Sequence, residues 1–441
     1  MDILDMVKEA GVIGAGGAGF PTYVKLNAQA EYILLNGAEC EPLLRVDQQI
    51  MAIHPEEIIR GLLLGKEITG ARKAIIGIKR KHHDVIEIMN NKICELGVQD
   101  EIEVGVLPDV YPAGDEQVLV YELTGRIVPE TGIPIMVGCV VMNSETALNV
   151  YYASLGKPVT EKYVTIAGDV PNPMTVKVPV GTPLRELFRL AGRNDLTGYQ
   201  VIDGGPMMGP LLGNLDGYVT KKTKGLVVLP EDHNLIRKKS REMSSALRLD
   251  RSACEQCSMC TDLCPRHLLG HSTVPHKMVR GVAYGADADE KMTAALTCCQ
   301  CNLCEYFSCP AGINPKMANV YYMGQLREKG IRHTPKESFT PGAMREYRMI
   351  PSKRLIARLN ITKYDGQALL NETPEVDLSR VGIMLNNHVG APAVPVVSVG
   401  SYVTAGQKIG EIKEGALGAT VHASISGIVE SIENNTIIIR R

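Results

Sequence analysis

The sequence predicts a multidomain α/β + β protein, and three observations carry that expectation. Over the first third of the chain, strand-length apolar runs alternate with segments of helical periodicity, the pattern of helices packed on a sheet. Nine of the twelve cysteines then fall between Cys254 and Cys309, among short helical stretches. The segment from Val381 to Arg441 is different again, with short β-type runs between glycine and proline turns.

At 441 residues the chain is long enough for several domains with their own cores. Lys and Arg (47) nearly balance Asp and Glu (49), a formal net charge of −2. That leaves no basic footprint for nucleic acid, which is bound by clustered cations. No apolar run reaches the ~20 residues that cross a bilayer, and the start, MDILDMVKEAG, lacks the form of a secretory signal. A cytoplasmic protein in a reducing compartment is expected, consistent with only Cys40, Cys94 and Cys139 lying outside the cysteine-rich stretch.

A short N-terminal helix with an apolar stripe (Ile3, Leu4, Met6, Val7) precedes the first motif, Gly14-Ala-Gly16-Gly17-Ala-Gly19-Phe20-Pro-Thr, with Lys25 shortly after. Glycines there let backbone N–H groups close on a phosphate; a plain turn has the same composition. Tyr32 to Asn36 reads as a strand ending in Asn36-Gly-Ala-Glu39-Cys40-Glu41-Pro42, an amide and two carboxylates in a turn. A helix from Pro55 to Lys66, a strand from Lys73 to Ile78, a helix from His82 to Leu96 and a strand from Glu101 to Leu107 follow. After Tyr111-Pro-Ala-Gly114-Asp-Glu116 come a helix to Thr124, a strand from Ile135 to Met142, and Asn143-Ser-Glu-Thr146 opening another helix. Polar turns at strand ends are where open α/β sheets gather ligands.

From Tyr163 the pattern turns to β, with strands Tyr163 to Gly168, Met174 to Val178 and Tyr199 to Asp203, and a helix Thr182 to Ala191. The second glycine cluster, Gly204 to Gly209, reads as a turn, and Glu231 to Leu249 as a charged helix or linker. Cys254, Cys257, Cys260 and Cys264-Pro265 then form the C-x2-C-x2-C-x3-C-P run that holds an iron–sulfur cubane. Cys298, Cys301, Cys304 and Cys309-Pro310 repeat it with one extra residue. In two-cluster ferredoxins the fourth cysteine of each run serves the other cluster. The expected ligand sets are therefore Cys254, Cys257, Cys260 and Cys309 for one [4Fe-4S] cluster, and Cys298, Cys301, Cys304 and Cys264 for the other. Cys299 competes with Cys298, although spacing favours Cys298. Zinc also takes four thiolates, usually as two separated pairs. Helices are expected over His267 to Met278, over Asp289 to Leu296 and from Asn314, and an exposed connection over Lys329 to Arg354.

Taken in order, the glycine loop, the Asn-containing Glu-x-Glu-Pro turn, Tyr-Pro-x-Gly-x-Glu and Asn-x-Glu-Thr resemble the flavin- and NADH-binding subunit of respiratory complex I, and more closely the C subunit of the Rnf electron-transport complex. The resemblance implies FMN as cofactor and NADH as donor. Gly14, Gly16, Gly17, Gly19 and Lys25 would hold the phosphate and ribityl chain, Asn36, Asn143 and Thr146 would contact the flavin, and Phe20 and Glu116 would face NADH. Glu39, Glu41 and Gly114 belong to the same matched turns and are cofactor-contact candidates. Ala38 stands where the complex I subunit has Asp.

Both relatives carry a soluble-ligand-binding β-grasp domain next, and Gly390-Ala-Pro-Ala-Val-Pro, Gly400-Ser-Tyr-Val-Thr-Ala-Gly and Val421-His-Ala-Ser-Ile-Ser-Gly427 resemble a lipoyl-like barrel sandwich. The carrier lysine is missing from Gly415-Ala-Leu-Gly-Ala419. In the Rnf C subunit the sandwich comes first; here it comes last. That order, with the paired Cys-Pro runs, resembles the PduS family, the cobalamin reductases of propanediol-utilisation microcompartments. The implied layout is an FMN/NADH-binding α/β domain at 1–155, a β-grasp domain at 156–230, a helical two-cluster ferredoxin domain at 231–330, a connector at 331–380 and a barrel-sandwich hybrid domain at 381–441. The implied activity is an oxidoreductase passing electrons from NADH through FMN and two clusters to a corrinoid. Its partners would be a corrinoid adenosyltransferase and a microcompartment shell protein, with a homo-oligomer among the expectations. None of the ten histidines sits in an Asp-x-His-x-x-Gly corrinoid signature. An Rnf-like adaptor feeding a ferredoxin is the rival expectation.

Overall fold

The computed structural model describes residues 2–441. The first unit begins with α1 (Ile3–Glu9), which Asp2 caps by accepting from the Asp5 N–H at 2.7 Å. It continues with α2 (Thr22–Leu26), β1 (Tyr32–Asn36), α3 (Val46–Ile53), α4 (Pro55–Thr69), β2 (Lys73–Lys79), α5 (His83–Leu96), β3 (Ile102–Leu107), β4 (Val110–Tyr111), α6 (Glu116–Thr124), β5 (Cys139–Asn143) and α7 (Ser144–Ser154). The α4 signals are local: Pro55 at its first position, Glu56 and Glu57 in the first turn, and left-handed Gly70 at its end.

Strands β3-β2-β1-β5 form a parallel sheet in that order. β1 is buried on both sides. Ile33 and Leu35 pack with Ile58, Leu62 and Leu148 of α4 and α7, while Leu34 packs with Leu119 and Val120 of α6. Each such side chain contributes about 1.5–3 kcal/mol by leaving water, so Leu34→Ala is expected to cost about 2–5 kcal/mol. The connections leave β1 toward β2 on one side and reach β5 on the other, which makes the crevice between the β1 and β5 ends the sheet's switch point. The strand expected over Ile135 to Met142 begins only at Cys139. Pro134–Val137 is a 3₁₀ turn, because Pro134 has no N–H for a ladder and Gly138 turns the chain at φ 72°.

The second unit comprises β6 (Glu161–Gly168), β7 (Met174–Pro179), α8 (Leu184–Leu190), β8 (Tyr199–Asp203) and β9 (Gly225–Pro230). β9 is not expected from the sequence, yet it lies between β6 and β8, parallel to one and antiparallel to the other. Leu184, Leu187 and Phe188 of α8 close this sheet's core.

The third unit is helical, with α9 (Asn234–Lys239), α10 (Met243–Ala253), α11 (Met259–Asp262), α12 (Pro265–Leu268), α13 (Pro275–Tyr284) and α14 (Pro315–Glu328). The helix expected over His267 to Met278 is broken in two, since Gly270 adopts φ 92° and Pro275 starts a new helix. The Asp289 to Leu296 stretch is a 3₁₀ helix spanning Glu290–Thr297.

The segment after α14 does more than connect. Ile350–Pro351 pairs with β4, the helix Ser352–Arg358 buries Leu355 and Ile356 against Tyr111, Ile202 and Tyr306, and Leu370–Asn371 extends the second sheet beside β7. The chain ends in two small sheets packed as a sandwich around Val381, Ile383, Ile409, Val429, Ile437 and Ile439.

Candidate flavin and iron–sulfur centres

The loop between α1 and α2 is closed at its base, where Gly14 N donates to Phe20 O at 2.8 Å and Gly19 N to Gly14 O at 3.2 Å. Its tip is open. Among the described residues the N–H groups of Gly16, Gly17 and Ala18 have no acceptor within the chain, and all three residues are exposed. Gly17 sits at φ 118° with nothing within 4 Å of where a Cβ would stand. Successive free N–H groups in such a turn form a concavity suited to an anion.

Beneath the tip lies a buried polar base. Ala15 N donates to Thr146 Oγ1 at 3.0 Å, and Ala15 O accepts from Lys162 Nζ at 3.2 Å. Lys162 is paired with Glu145, both 1% exposed. Burial raises the Glu145 pKa and lowers that of Lys162, each resisted by the partner's charge. Asp47 accepts from Asn143 Nδ2 at 2.9 Å, from Ser144 Oγ at 2.7 Å and from Lys224. Burial opposes the charge on Lys224, but Asp47 and Glu39 hold its pKa above the usual lysine value.

Asn36 and Asn143 are register partners at the ends of β1 and β5, side by side at the switch point. Asn36 Nδ2 donates to Gly114 O at 2.8 Å, and Asn143 Oδ1 caps α7 by accepting from Glu145 N at 3.1 Å. A Cβ on Gly114 would lie 3.0 Å from Cys40 Sγ and 3.1 Å from Asn36 Oδ1, so the turn approaches β1 closely only with glycine there. Gly114 N also donates to Cys40 Sγ at 2.6 Å, and burial pushes the Cys40 thiol up. Lys25 and Glu116 pair at 2.7 Å at the solvent-facing rim. Phe20 is half-buried at the loop's base, and buried Ala38 donates its N–H to Asn36 Oδ1 at 3.3 Å.

The two turn carboxylates point elsewhere. Glu39 accepts from Val46 N, Asp47 N and Gln48 N, and so caps α3 from a distance. Burial and neighbouring Asp47 raise its pKa to about 7, against Lys224. Glu41 accepts from Met207 N and Met208 N, both at 2.8 Å, in the second glycine cluster. The structure thus gathers the glycine loop, Asn36, Gly114, Asn143 and Thr146, sets Lys25 and Glu116 at the rim, and spends Glu39 and Glu41 on backbone N–H groups. Sequence reasoning missed Asp47, Glu145, Lys162 and Lys224. The ion pairs join residues 17 and 177 positions apart; Glu145 is the acid of the Asn-x-Glu-Thr motif, while no motif marks Asp47, Lys162 or Lys224.

The cysteines line two cavities. Cys254, Cys257, Cys260 and Cys309 surround one, together with His276 and Val279. Cys264, Cys298, Cys299, Cys301 and Cys304 surround the other, together with Asn302 and Lys316. Each cavity thus draws cysteines from both runs. Burial pushes Cys264 and Cys304 up, and Cys260 and Cys298 to about 12, while Cys301 is pushed up first by its hydrogen bond with Cys299 and then by burial, so these thiols need a cation to become ligands. Cys299 differs, drawn down to about 7 by a hydrogen bond from Cys301 and by Arg266. Among the described residues no three His, Cys, Asp or Glu side chains close on a single ion.

The second cavity adjoins the flavin-side turn. Tyr111 OH donates to Cys301 O at 2.7 Å, and Arg266 pairs with Asp115, the α6 cap, at 2.8 Å. The first cavity is outward, with Glu255, Gln256 and Cys257 exposed on its wall. One cysteine cavity, the inner, therefore adjoins the first unit, and the other, the outer, has exposed residues on its wall.

Four families match successive parts of the chain: the Nuo51 FMN-binding domain at residues 7–152, the SLBB domain at 163–211, the 4Fe-4S dicluster domain at 253–314 and the RnfC barrel sandwich hybrid domain at 374–440. Cobalamin reductase PduS of Citrobacter freundii is 43% identical over 442 residues, covering 100% of this chain and 96% of that protein. The Salmonella typhimurium strain LT2 protein of the same name is 43% identical over 444 residues, with the same coverage. The C subunit of the Na(+)-translocating ferredoxin:NAD(+) oxidoreductase complex of Acetobacterium woodii is 35% identical over 272 residues, 60% of this chain and 58% of that one. Among solved structures, an air-oxidized NAD+-reducing [NiFe]-hydrogenase chain aligns with 85% of this chain and 67% of its own at 22% identity and a TM-score of 0.45, too loose a likeness to bear on function.

Proposed function

Because this chain belongs to the PduS cobalamin reductase family, we propose that it is an NADH-dependent flavo-iron–sulfur reductase that delivers single electrons to a corrinoid, taking cob(III)alamin towards cob(I)alamin. The observation that carries the reading is that the inner cysteine cavity is tied to the 111–115 turn, whose Gly114 accepts from Asn36, by the Tyr111–Cys301 hydrogen bond and the Arg266–Asp115 pair, while the outer cysteine cavity opens at the surface.

FMN, when bound, accepts a hydride from NADH and releases electrons one at a time to [4Fe-4S] clusters. The free N–H groups of Gly16, Gly17 and Ala18 would take its phosphate, with Gly14 and Gly19 shaping the loop and Lys25 at the rim. Asn36, Asn143 and Thr146 fix the crevice walls against which the ring would lie, Gly114 keeps the turn close enough to form them, and Phe20 and Glu116 would meet the nicotinamide nucleotide. Cys264, Cys298, Cys301 and Cys304 would hold the inner cluster, with Cys299 as the rival to Cys298. Cys254, Cys257, Cys260 and Cys309 would hold the outer one. The protein's contribution is position and electrostatics, so no side chain need act as acid or base.

Among the described residues no helix is long and apolar enough to cross a membrane. A corrinoid adenosyltransferase is the partner that the product calls for; a microcompartment location, a shell-protein contact and a homo-oligomer accompany that reading. The test is anaerobic: reconstituted protein with FMN, NADH as sole donor, and the cob(III)alamin spectrum followed over time. NADH-dependent corrinoid reduction, lost in Gly17→Asp, is the expected result. Bleaching of flavin and clusters with the corrinoid untouched would overturn it and favour a relay to another redox protein.

A further inference from the structure

Two parts of the chain outside the first unit close on the glycine loop. Gly19 O accepts from Val389 N at 2.9 Å, bonding the loop to the C-terminal sandwich. Lys222, from the stretch before β9, lies across the same glycine: a Cβ on Gly19 would stand 2.5 Å from Lys222 Cδ, 3.1 Å from its Cγ and 3.5 Å from His388 Cα. Lys221 secures this junction. Its buried Nζ donates to Gly11 O at 2.7 Å and Thr420 O at 3.0 Å, while Thr420 Oγ1 donates to Lys8 O and Glu9 O.

Lys222 is the uncommitted cation of this junction. Its backbone N–H donates to Thr220 Oγ1 at 3.2 Å, but among the described residues its ammonium has no ion pair. Asp203, half-buried, lies near enough to feel its charge without pairing. His388 Nε2 donates to Ala391 O at 2.9 Å, and burial with neighbouring Lys221 and Lys222 lowers its pKa. A lysine on a flexible stem, beside a loop of free N–H groups, matches a phosphate dianion or a pyrophosphate as a mobile point charge.

We propose that Lys222 is a phosphate-binding residue of the flavin site, brought to the glycine loop by the docking of the second unit and the C-terminal sandwich. This rests on the flavin reading of the loop. The phosphate belongs either to FMN or to the NADH pyrophosphate, and full-length protein with reconstituted clusters distinguishes them. Wild type, Lys222→Ala and Lys222→Arg are stripped of flavin and titrated with FMN and with riboflavin by fluorescence. The KM for NADH is then read with ferricyanide at saturating FMN. If the FMN phosphate is the ligand, Lys222→Ala weakens FMN about tenfold, leaves riboflavin unchanged, and Lys222→Arg restores most of the loss. If the NADH pyrophosphate is the ligand, flavin affinities stay level while the KM rises about tenfold with kcat retained. Unchanged FMN affinity and KM, or equal weakening of FMN and riboflavin, would overturn the proposal. Failure of the wild type to bind either flavin would overturn the parent reading and this one with it.

Discussion

The two glycine clusters, Gly14 to Gly19 and Gly204 to Gly209, look alike in composition and differ in who receives their N–H groups. In the first, the tip N–H groups of Gly16, Gly17 and Ala18 are free and face solvent. In the second, Glu41 takes Met207 N and Met208 N, while Met207 O accepts from Asn302 Nδ2 at 2.6 Å and Gly209 O from Lys239 Nζ at 2.6 Å. A Cβ on Gly205 would overlap the Glu41 side chain. The second cluster is thus a junction at which three units meet, and the first is an open cradle. Glycine content marks where backbone comes close; satisfaction of its donors tells whether a ligand or another part of the chain is what comes close.

Substitutions break this contrast in graded ways. The largest loss of stability is expected beneath the first loop. Glu145→Gln leaves Lys162 buried without its counter-charge, at a cost of about 3–5 kcal/mol, and calorimetry should show the lowest unfolding midpoint of the series. Gly205→Ala comes next: the methyl displaces Glu41, costing about 2–3 kcal/mol, with FMN affinity little altered once folded. Glu41→Gln keeps one acceptor and costs about 1–2 kcal/mol; limited proteolysis should find the 204–209 turn more open while bound flavin persists. Gly17→Asp costs a similar amount in stability, about 1–2 kcal/mol from its backbone alone, since nothing lies within 4 Å of the new side chain's Cβ. Its effect should fall on FMN, whose binding the carboxylate opposes by repulsion, measured by flavin content after gel filtration. Equal FMN loss in Gly205→Ala and Gly17→Asp would erase the distinction between the clusters.

The iron–sulfur chemistry is legible in the sequence because local spacing encodes it, three cysteines at steps of three and a Cys-Pro, whereas the glycines at 14 to 19 fit a plain turn by themselves and the flavin reading comes from the resemblance carried by four motifs in order. The parallel sheet is legible for a similar reason, since β1, β2 and β5 are runs buried on both faces. What lies hidden depends on partners distant in sequence. Glu39 and Glu41 sit in a turn that reads as ligand-facing, yet one caps α3 and the other reaches 166 residues along the chain. The helix α3 itself escapes notice because its start is capped by Glu39, seven residues before it, and not by its own Arg45. β9 lies in a glycine-punctuated stretch and becomes a strand by filling the gap between β6 and β8. The segment at 331–380 reads as a connection from its charge and prolines, while Leu355 and Ile356 carry its packing.

The proposed function orders electron transfer from the inner to the outer cysteine cavity, and electron paramagnetic resonance of a Cys257→Ser variant tests that order most directly. Reconstituted anaerobically with FMN and iron and reduced by NADH, the variant should retain FMN and show one reduced [4Fe-4S] signal, from the inner cluster, with corrinoid reduction lost. Loss of FMN together with both clusters, or corrinoid reduction at the wild-type rate, would contradict the path from glycine loop through inner cavity to outer cavity.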